Sequence, residues 1–230
     1  NAIAARADGI IISPINSERV RKAIDRAVDS GIPVVATNAD IDGTKRTCCV
    51  GINNRKAARI AGRLMGQFLG GTGKIAVVSS AIASENNNYY VQVRETEFAD
   101  FIHKEYPDIE IITTLDSFED PQITYEKTVK LLRDYQDLQG IYITCGGVSQ
   151  VGRALEESGR AKDIRVISFE DYPEVVDLIR KDVIDCTLAG ELQQQGEIPV
   201  QIIMDYLVFG KEPEQQQIFT DIRVLVKESL

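Results

Sequence analysis

Short β-branched runs alternate along this chain with longer stretches in which apolar residues recur every three or four positions. Residues 164–168 form one such run, Ile-Arg-Val-Ile-Ser, and it stops at the group Phe169, Glu170 and Asp171. An apolar run of this length, bounded by turn residues, is typical of a buried strand in a parallel sheet. Because ligands bind beyond the carboxyl ends of such strands, the residues that follow position 168 are candidates for a binding site.

The same pattern predicts a regular series of elements. Strands are expected at about 9–13, 32–36, 47–52, 75–79, 109–115, 140–144, 164–168, 184–188, 217–219 and 222–226. Helices are expected at about 17–30, 54–69, 89–106, 120–135, 148–158, 174–181 and 198–209. Ser17 and Asp120 are the expected N-caps of two helices, since their side-chain oxygens can accept the free amide protons of the first turn. Strand–helix alternation at this spacing predicts an α/β fold with parallel sheets, and the number of strands favours two lobes over one sheet.

Composition and charge then narrow the function. Of the 230 residues, 43% are hydrophobic and 27% are charged, which is ordinary for a soluble protein with real cores. The net charge of −9 argues against direct binding to a phosphate backbone, which depends on Lys and Arg. No apolar run approaches the roughly 20 residues that a membrane-spanning helix requires. Residues 1–8 resemble the end of a helix, so we expect this sequence to begin inside a longer protein.

The cysteines and the single histidine bear on two questions, namely metal binding and cellular location. The four cysteines are Cys48, Cys49, Cys145 and Cys186, and they form no CxxC or Cys/His pattern with His103. This spacing argues against a structural zinc site. Cysteines without an extracellular disulfide pattern favour a reducing compartment, and hence a cytoplasmic location.

No group of residues has the pattern of a catalytic site. Residues 70–74, Gly-Gly-Thr-Gly-Lys, resemble a phosphate loop, but they follow a helix and precede a strand, which is the reverse of the required order. The chain has no G-x-S-x-G elbow and no histidine near a strand end. Glu170 and Asp171 are adjacent on a loop, where side chains usually diverge. We therefore predict a protein that is not an enzyme and has no metal or cofactor.

Polar and aromatic residues instead follow several predicted strands at the end where a ligand would bind. They are Ser13, Asn38, Asp40, Phe118, Thr144 and Glu170, and Arg94 lies in the helix after the polar loop at 80–88. Each residue alone is better explained by a turn or a cap, but together they favour a cleft for a sugar or another polyol. Hydroxyl, amide and charged groups fix sugar hydroxyls, and an aromatic face stacks on the ring. The glutamines at 193–195 mark either a helix start or a crossover between lobes.

Five short motifs occur in order: Asp-Gly-Ile-Ile-Ile-Ser-Pro at 8–14, Gly-Ile-Pro-Val-Val at 31–35, Arg-x-x-x-Phe at 94–98, Val-Ile-Ser-Phe-Glu at 166–170 and Gln-Gly at 195–196. Together they resemble the ligand-binding core of the lactose-repressor (LacI-type) family of transcription regulators. Each motif is weak alone, but their order and spacing extend over essentially the whole chain. The same core is shared by periplasmic sugar-binding proteins such as the ribose-binding protein.

The resemblance implies a periplasmic binding protein type I-like fold, in which two Rossmann-like lobes with parallel sheets close on a small ligand. On this chain the N-terminal lobe would comprise 1–53 and 191–220, and the C-terminal lobe 54–190 and 221–230. Members of the family begin the first lobe with a further strand, helix and strand. The resemblance therefore implies that the N-terminal lobe is incomplete in this sequence.

The resemblance also implies which residues contact the ligand. Arg94 matches the ligand-clamping arginine and Phe118 the stacking aromatic residue of the family. The full predicted set is Ser13, Asn38, Asp40, Arg94, Phe118, Thr144, Cys145, Phe169 and Glu170. The sequence departs from the common pattern at Ala39, at 145–147 and at Gly190, so a ligand other than ribose is expected. All these side chains are predicted to converge on one gap.

We predict that the chain is the effector-binding domain of a LacI-type regulator. Binding of a small sugar would shift the lobes of a homodimer and reposition a helix-turn-helix headpiece on DNA. The alternative is the substrate-binding protein of an ABC-type sugar importer, located in the periplasm, with the same fold and cleft. The cysteine pattern favours the regulator, and the sequence upstream of residue 1 would discriminate between the two.

Overall fold

The computed structural model describes residues 2–80 and 89–230. In chain order the elements are β1 (Ile10–Ile12), α1 (Glu18–Asp29), β2 (Val34–Thr37), β3 (Cys48–Ile52), α2 (Asn54–Phe68), β4 (Thr72–Ser79), α3 (Tyr89–Glu105), β5 (Asp108–Asp116), α4 (Pro121–Asp134), β6 (Leu138–Ile143), α5 (Val148–Ser158), β7 (Arg165–Phe169), α6 (Pro173–Arg180), β8 (Cys186–Gly190), α7 (Leu192–Phe209), β9 (Gln217–Thr220) and β10 (Ile222–Leu225). The chain divides into two compact units, one formed by Asn1–Asn53 with Gly190–Ile222 and the other by Asn54–Ala189 with Arg223–Leu230.

The first unit is built on a four-stranded sheet with the order β1-β2-β3-β9, in which neighbouring strands are parallel. Successive residues of a strand face opposite sides of the sheet. Val34 of β2 accordingly joins a core with Ile24 of α1, whereas Val35 joins a separate core with Ile202 of α7. Helices therefore cover both faces of this sheet.

The second unit contains a six-stranded sheet with the order β10-β8-β7-β6-β4-β5, and its pairings from β4 to β8 are parallel. Ile141 of β6 belongs to a hydrophobic core cluster together with Leu155 of α5. Tyr142 faces the other side, where its ring stacks on Phe98 of α3 with centroids 4.0 Å apart. The predicted α/β class with parallel sheets and two lobes is confirmed.

Two predicted helix caps are present. The Val20 N–H donates to Ser17 Oγ at 3.3 Å at the start of α1. The Ile123 N–H donates to Asp120 Oδ1 at 2.9 Å at the start of α4, where Pro121 occupies the first turn. Among the described residues, no helix is both long enough and apolar enough to cross a bilayer.

Helix α7 begins at Leu192, so the predicted start at 198 is wrong. Pro199 lies inside the helix, and proline has no N–H to donate to the carbonyl four residues earlier, which belongs to Gln195. The Thr37 hydroxyl donates to that carbonyl instead, at 2.9 Å. The Thr37 hydroxyl, at the end of β2, thus takes the place of the missing N–H at the Gln195 carbonyl, and the helix continues through Pro199. The glutamines at 193–195 form its first turn.

Gly140 of β6 allows helix α2 to lie close to the sheet. A Cβ atom at this position would lie 2.7 Å from both Ile75 Cγ2 and Met65 Sδ. We expect Gly140→Ala to lower the free energy of unfolding by about 1–3 kcal/mol, because an extra methyl group in a filled core forces its neighbours apart. Denaturation in urea, followed by circular dichroism, measures the loss. Gly196→Ala is the control, since a Cβ there meets nothing within 4 Å; an equal loss in both variants would contradict the packing argument.

Candidate functional site

Arg94 lies in α3 with a buried side chain, and groups from three other parts of the second unit bind its guanidinium. Its Nε donates to Asn54 Oδ1 at 2.7 Å, and its Nη1 donates to the Thr144 carbonyl at 3.2 Å. Its Nη2 donates to Glu170 Oε1 at 3.4 Å, which is within ion-pair distance. These bonds fix the guanidinium in one orientation, because the donors of arginine form a rigid planar fork.

An aromatic ring supports the guanidinium from one face. Arg94 Cζ lies 3.8 Å from the centroid of the Phe169 ring, which itself packs at a tilt against Tyr142. A cation held over an aromatic face in this way gains about 0.5–2 kcal/mol. We refer to Arg94, Asn54, Phe169 and Glu170 as the arginine cluster. Its members come from α3, α2 and the carboxyl end of β7.

Glu170 is held in an unusual backbone conformation at the end of β7. Its φ of 70° lies in the left-handed region, which costs a residue with a side chain about 1–3 kcal/mol. Two hydrogen bonds hold Glu170 in this conformation. The Glu170 N–H donates to the Leu188 carbonyl at 2.8 Å, and the Thr187 hydroxyl donates to the Glu170 carbonyl at 2.7 Å. Strain of this kind is found where a side chain must be held in place for function.

The arginine cluster has the properties of a site for a neutral, hydroxyl-rich ligand. The bonds of Arg94 to described residues use three of its five N–H donors, so two remain for ligand oxygens. The carboxylate of Glu170 balances the guanidinium charge and can accept hydrogen bonds from hydroxyl groups. An anionic ligand would be repelled by the same carboxylate, whereas a sugar can use both groups.

The polar groups of Thr144 and Cys145 have partners within the second unit. The Thr144 hydroxyl is buried and donates to the Val78 carbonyl at 3.1 Å. The Cys145 sulfur lies 3.5 Å from Ser117 Oγ, and burial raises the pKa of this thiol to about 11. These partners connect the ends of β4, β5 and β6. The prediction that both residues contact a ligand stays a prediction.

Phe118 follows β5 and remains exposed, with 56% of its surface accessible. Its φ is 54°, a left-handed conformation that bulky residues rarely adopt, and the Lys127 ammonium lies 5.1 Å from the ring centroid. An exposed aromatic ring on a strained turn at the carboxyl end of a strand is suited to stacking on a ligand. Its assignment as the stacking residue stays a prediction.

In the first unit, Ser13 and Asn38 are exposed at the carboxyl ends of β1 and β2, where a ligand could reach them. Asn38 has a left-handed φ of 61°, and its N–H donates to the Val50 carbonyl at 3.0 Å. Asp40 differs from both, since its carboxylate is buried and binds the Nε and Nη2 of Arg46 through both oxygens. The structure therefore gives Asp40 a structural partner. That Ser13 and Asn38 meet the arginine cluster stays a prediction.

Asn54 was not among the predicted site residues. Its hydrogen bond to Arg94 is nevertheless shorter than those of Thr144 and Glu170. Asn54 is the first residue of α2, and its sequence context is that of an ordinary helix start. The partners lie 40 positions apart in the sequence, so no local signal connects them. The polar loop predicted at 80–88 lies, from residue 81 onwards, outside the described residues.

Comparisons with known proteins place this geometry in context. Residues 1–212 match the family model described as "Periplasmic binding protein domain". A D-apiose import binding protein of Paraburkholderia graminis is 22% identical over 220 residues, covering 94% of this chain and 69% of that protein. A sugar-binding protein of a sugar ABC transporter from Bacillus halodurans has a TM-score of 0.87 and 28% identity, over 99% of this chain and 80% of the other. The arabinose-binding protein AraP of Geobacillus stearothermophilus has a TM-score of 0.85 and 27% identity, over 99% and 79%.

These similarities show that the prediction of a LacI-type transcription regulator is wrong. The relatives are named as sugar import proteins or sugar-binding proteins, which supports the alternative instead. The predictions that the protein is a repressor and that it binds DNA through a headpiece are wrong for the same reason. The two classes share one core, so the motifs at 8–14 and 166–170 could not separate them.

Buried cysteines without a disulfide pattern, on which the cytoplasmic prediction rested, do not discriminate between compartments. All four cysteines are buried, and none is joined in a disulfide among the described residues. Burial raises the pKa of the Cys48 thiol to about 11 and that of the Cys186 thiol to about 12. Since the thiolate is the reactive species, buried neutral thiols stay unpaired in an oxidising compartment as well as in a reducing one. Their presence therefore does not indicate a cytoplasmic location.

Proposed function

Because the chain belongs to the periplasmic binding protein domain family, we propose that it is the sugar-binding protein of an ABC-type importer, located outside the cytoplasm. The sugar is a small neutral one, bound by the arginine cluster. The observation that carries this proposal is the guanidinium of Arg94, which is held by three acceptors and has two donors without a partner in the part of the chain that the structure describes. The names of the relatives, which refer to D-apiose import and arabinose binding, support an aldose with several free hydroxyl groups.

The proposal is tested by direct binding to the purified chain. We expect isothermal titration calorimetry to detect one sugar among D-apiose, arabinose, xylose, ribose, glucose and galactose with a dissociation constant of about 1 μM or less. The same sugar should raise the melting temperature, because a ligand that binds only the folded state stabilises it. An effect limited to sugar phosphates would contradict the charge balance set by Glu170. Absence of binding to every sugar in this panel would contradict the proposed function.

The exposed ring of Phe118 leads to a separate prediction. We expect Phe118→Gly to weaken sugar binding about tenfold, since the stacking surface is lost. The free energy of unfolding should change by less than about 1 kcal/mol, because glycine relieves the left-handed strain while it adds backbone entropy to the unfolded chain. Calorimetry and urea denaturation measure the two effects. Tyr135→Ala, an exposed aromatic residue at the end of α4, should leave affinity unchanged.

A further inference from the structure

The side chain of Gln195 lies over Gly190, in space that any other residue at position 190 would fill. A Cβ atom at Gly190 would lie 2.2 Å from Gln195 Nε2 and 2.8 Å from Ile52 Cγ2. The first of these distances is far below a van der Waals contact. The Gln195 amide can occupy this position only because residue 190 is a glycine and has no side chain.

The backbone of Gln195 is fixed independently of this contact. Its carbonyl accepts the Thr37 hydroxyl, because Pro199 has no N–H to offer it. Its N–H donates to the Glu191 carbonyl at 3.1 Å, which closes the first turn of α7. A residue anchored at both backbone groups holds its side chain at a defined place on the end of the sheet.

The amide oxygen of Gln195 has no hydrogen-bond partner among the described residues, although the side chain is only 7% exposed. Thr220 Oγ1 likewise has no hydrogen-bond partner among the described residues, and Thr220 is only 6% exposed. Thr220 pairs with Ile52 across β9 and β3, and Ile52 also lies against Gly190. Buried polar atoms are nearly always paired in folded proteins, so atoms without a partner among the described residues are candidates for a hydrogen bond to a water molecule or a ligand.

These groups lie at the edge of the sheet where ligands bind. Thr37, Ile52 and Thr220 are the last residues of β2, β3 and β9, and these strands are parallel. Their carboxyl ends therefore meet at one edge, where α7 also begins. The carboxyl edge of a parallel sheet is the usual location of a ligand site in α/β folds.

We propose that Gln195 contributes to sugar specificity from the first unit, and that its amide binds one particular hydroxyl group of the sugar. Gly190 is the positioning residue that gives this amide its room. The inference rests on the proposed function, and it assigns a ligand contact to a residue that was not among the predicted site residues. An amide both donates and accepts, so it recognises a hydroxyl group by its position and rejects a sugar that lacks it.

The test compares Gln195→Met with the unchanged protein, using the best-binding sugar of the panel and each of its monodeoxy derivatives. Methionine has a similar size and no polar amide, so the fold should be retained. We expect the parent sugar to bind at least tenfold more weakly to Gln195→Met. One deoxy derivative should bind both proteins equally, which identifies the hydroxyl group that the amide contacts. Gly190→Ala, which moves the amide without removing it, should weaken the same sugar.

Gln193→Met is the matched control, since Gln193 is exposed in the same tract and its amide donates to Glu197 Oε1 at 2.8 Å. This variant should bind every sugar as the unchanged protein does. Equal affinities of Gln195→Met and the unchanged protein for the parent sugar and all its deoxy derivatives would overturn the inference. If Gln195→Met does not fold, Gln195→Asn, whose amide is one methylene shorter, provides the same comparison. Failure of the unchanged protein to bind any sugar would instead count against the proposed function itself.

Discussion

Replacing Arg94 by alanine is expected to weaken sugar binding by about 100-fold or more. The two N–H donors that Arg94 retains would each lose a charged hydrogen bond to the ligand, worth about 1.5–3 kcal/mol apiece. The loss adds to a second effect, because the Asn54 oxygen and the Glu170 carboxylate lose the group that orients them. Calorimetry with the best-binding sugar measures the change. Arg94→Lys should recover only part of the affinity, since lysine keeps the charge but lacks the planar fork.

Arg153 offers a matched control for this substitution. It also donates to a glutamate, with Nε 2.8 Å from Glu157 Oε1, and its guanidinium lies 4.5 Å from the Tyr125 ring centroid. Unlike Arg94, it is exposed on helix α5. Arg153→Ala should therefore bind sugar normally. If Arg94→Ala kept the affinity of the unchanged protein, the arginine cluster would not be the sugar site, whatever the family relationship.

Replacing Arg46 by methionine is expected to lower the free energy of unfolding by about 3–5 kcal/mol. The side chains of Arg46 and Asp40 are only 5% and 3% exposed, so removal of the cation leaves a buried carboxylate without its counter-charge. The chain has no tryptophan, so circular dichroism in urea is the suitable probe of unfolding. The double variant Asp40→Leu/Arg46→Met should recover most of the loss, because an apolar pair of similar volume carries no desolvation cost.

The same variants decide the role of Asp40. If the aspartate is structural, the double variant folds and binds sugar with nearly unchanged affinity. A double variant that is stable but no longer binds sugar would return Asp40 to the ligand-binding set. Lys130→Met is the control, because it breaks an exposed ion pair with Asp134. This variant should leave the free energy of unfolding almost unchanged, which would show that the large loss in Arg46→Met comes from burial of the pair.

Sequence patterns were sufficient for the elements because the signals for strands and helices are local. The run at 164–168 predicted β7, and the caps at Ser17 and Asp120 are present where the residue types required them. The start of α7 was placed wrongly for an equally physical reason. A proline usually marks a first turn, whereas Pro199 lies inside the helix, and the Gln195 carbonyl that it leaves without an N–H accepts the Thr37 hydroxyl, which only the fold brings close.

The structure brings together part of the predicted set of site residues, and its role as a site stays a prediction. The sequence indicated Arg94, Phe169 and Glu170, and the structure brings these three together. It did not indicate Asn54, because an amide at a helix start has no distinctive local context, and it gave Gln195 only as part of a motif, without a ligand contact. It also included Asp40, Thr144 and Cys145, whose polar groups are engaged by other parts of the protein.

The sequence by itself determined the α/β class, the alternation of elements and the presence of polar residues at the ends of the strands. These follow from hydrophobic period and turn chemistry, which act over a few residues. Only the tertiary structure decided which of those polar residues have protein partners and which retain groups for a ligand. Arg94 meets Glu170 across 76 positions and Thr37 meets Gln195 across 158. Contacts over such separations depend on how the strands are ordered in each sheet, and no local pattern specifies that order.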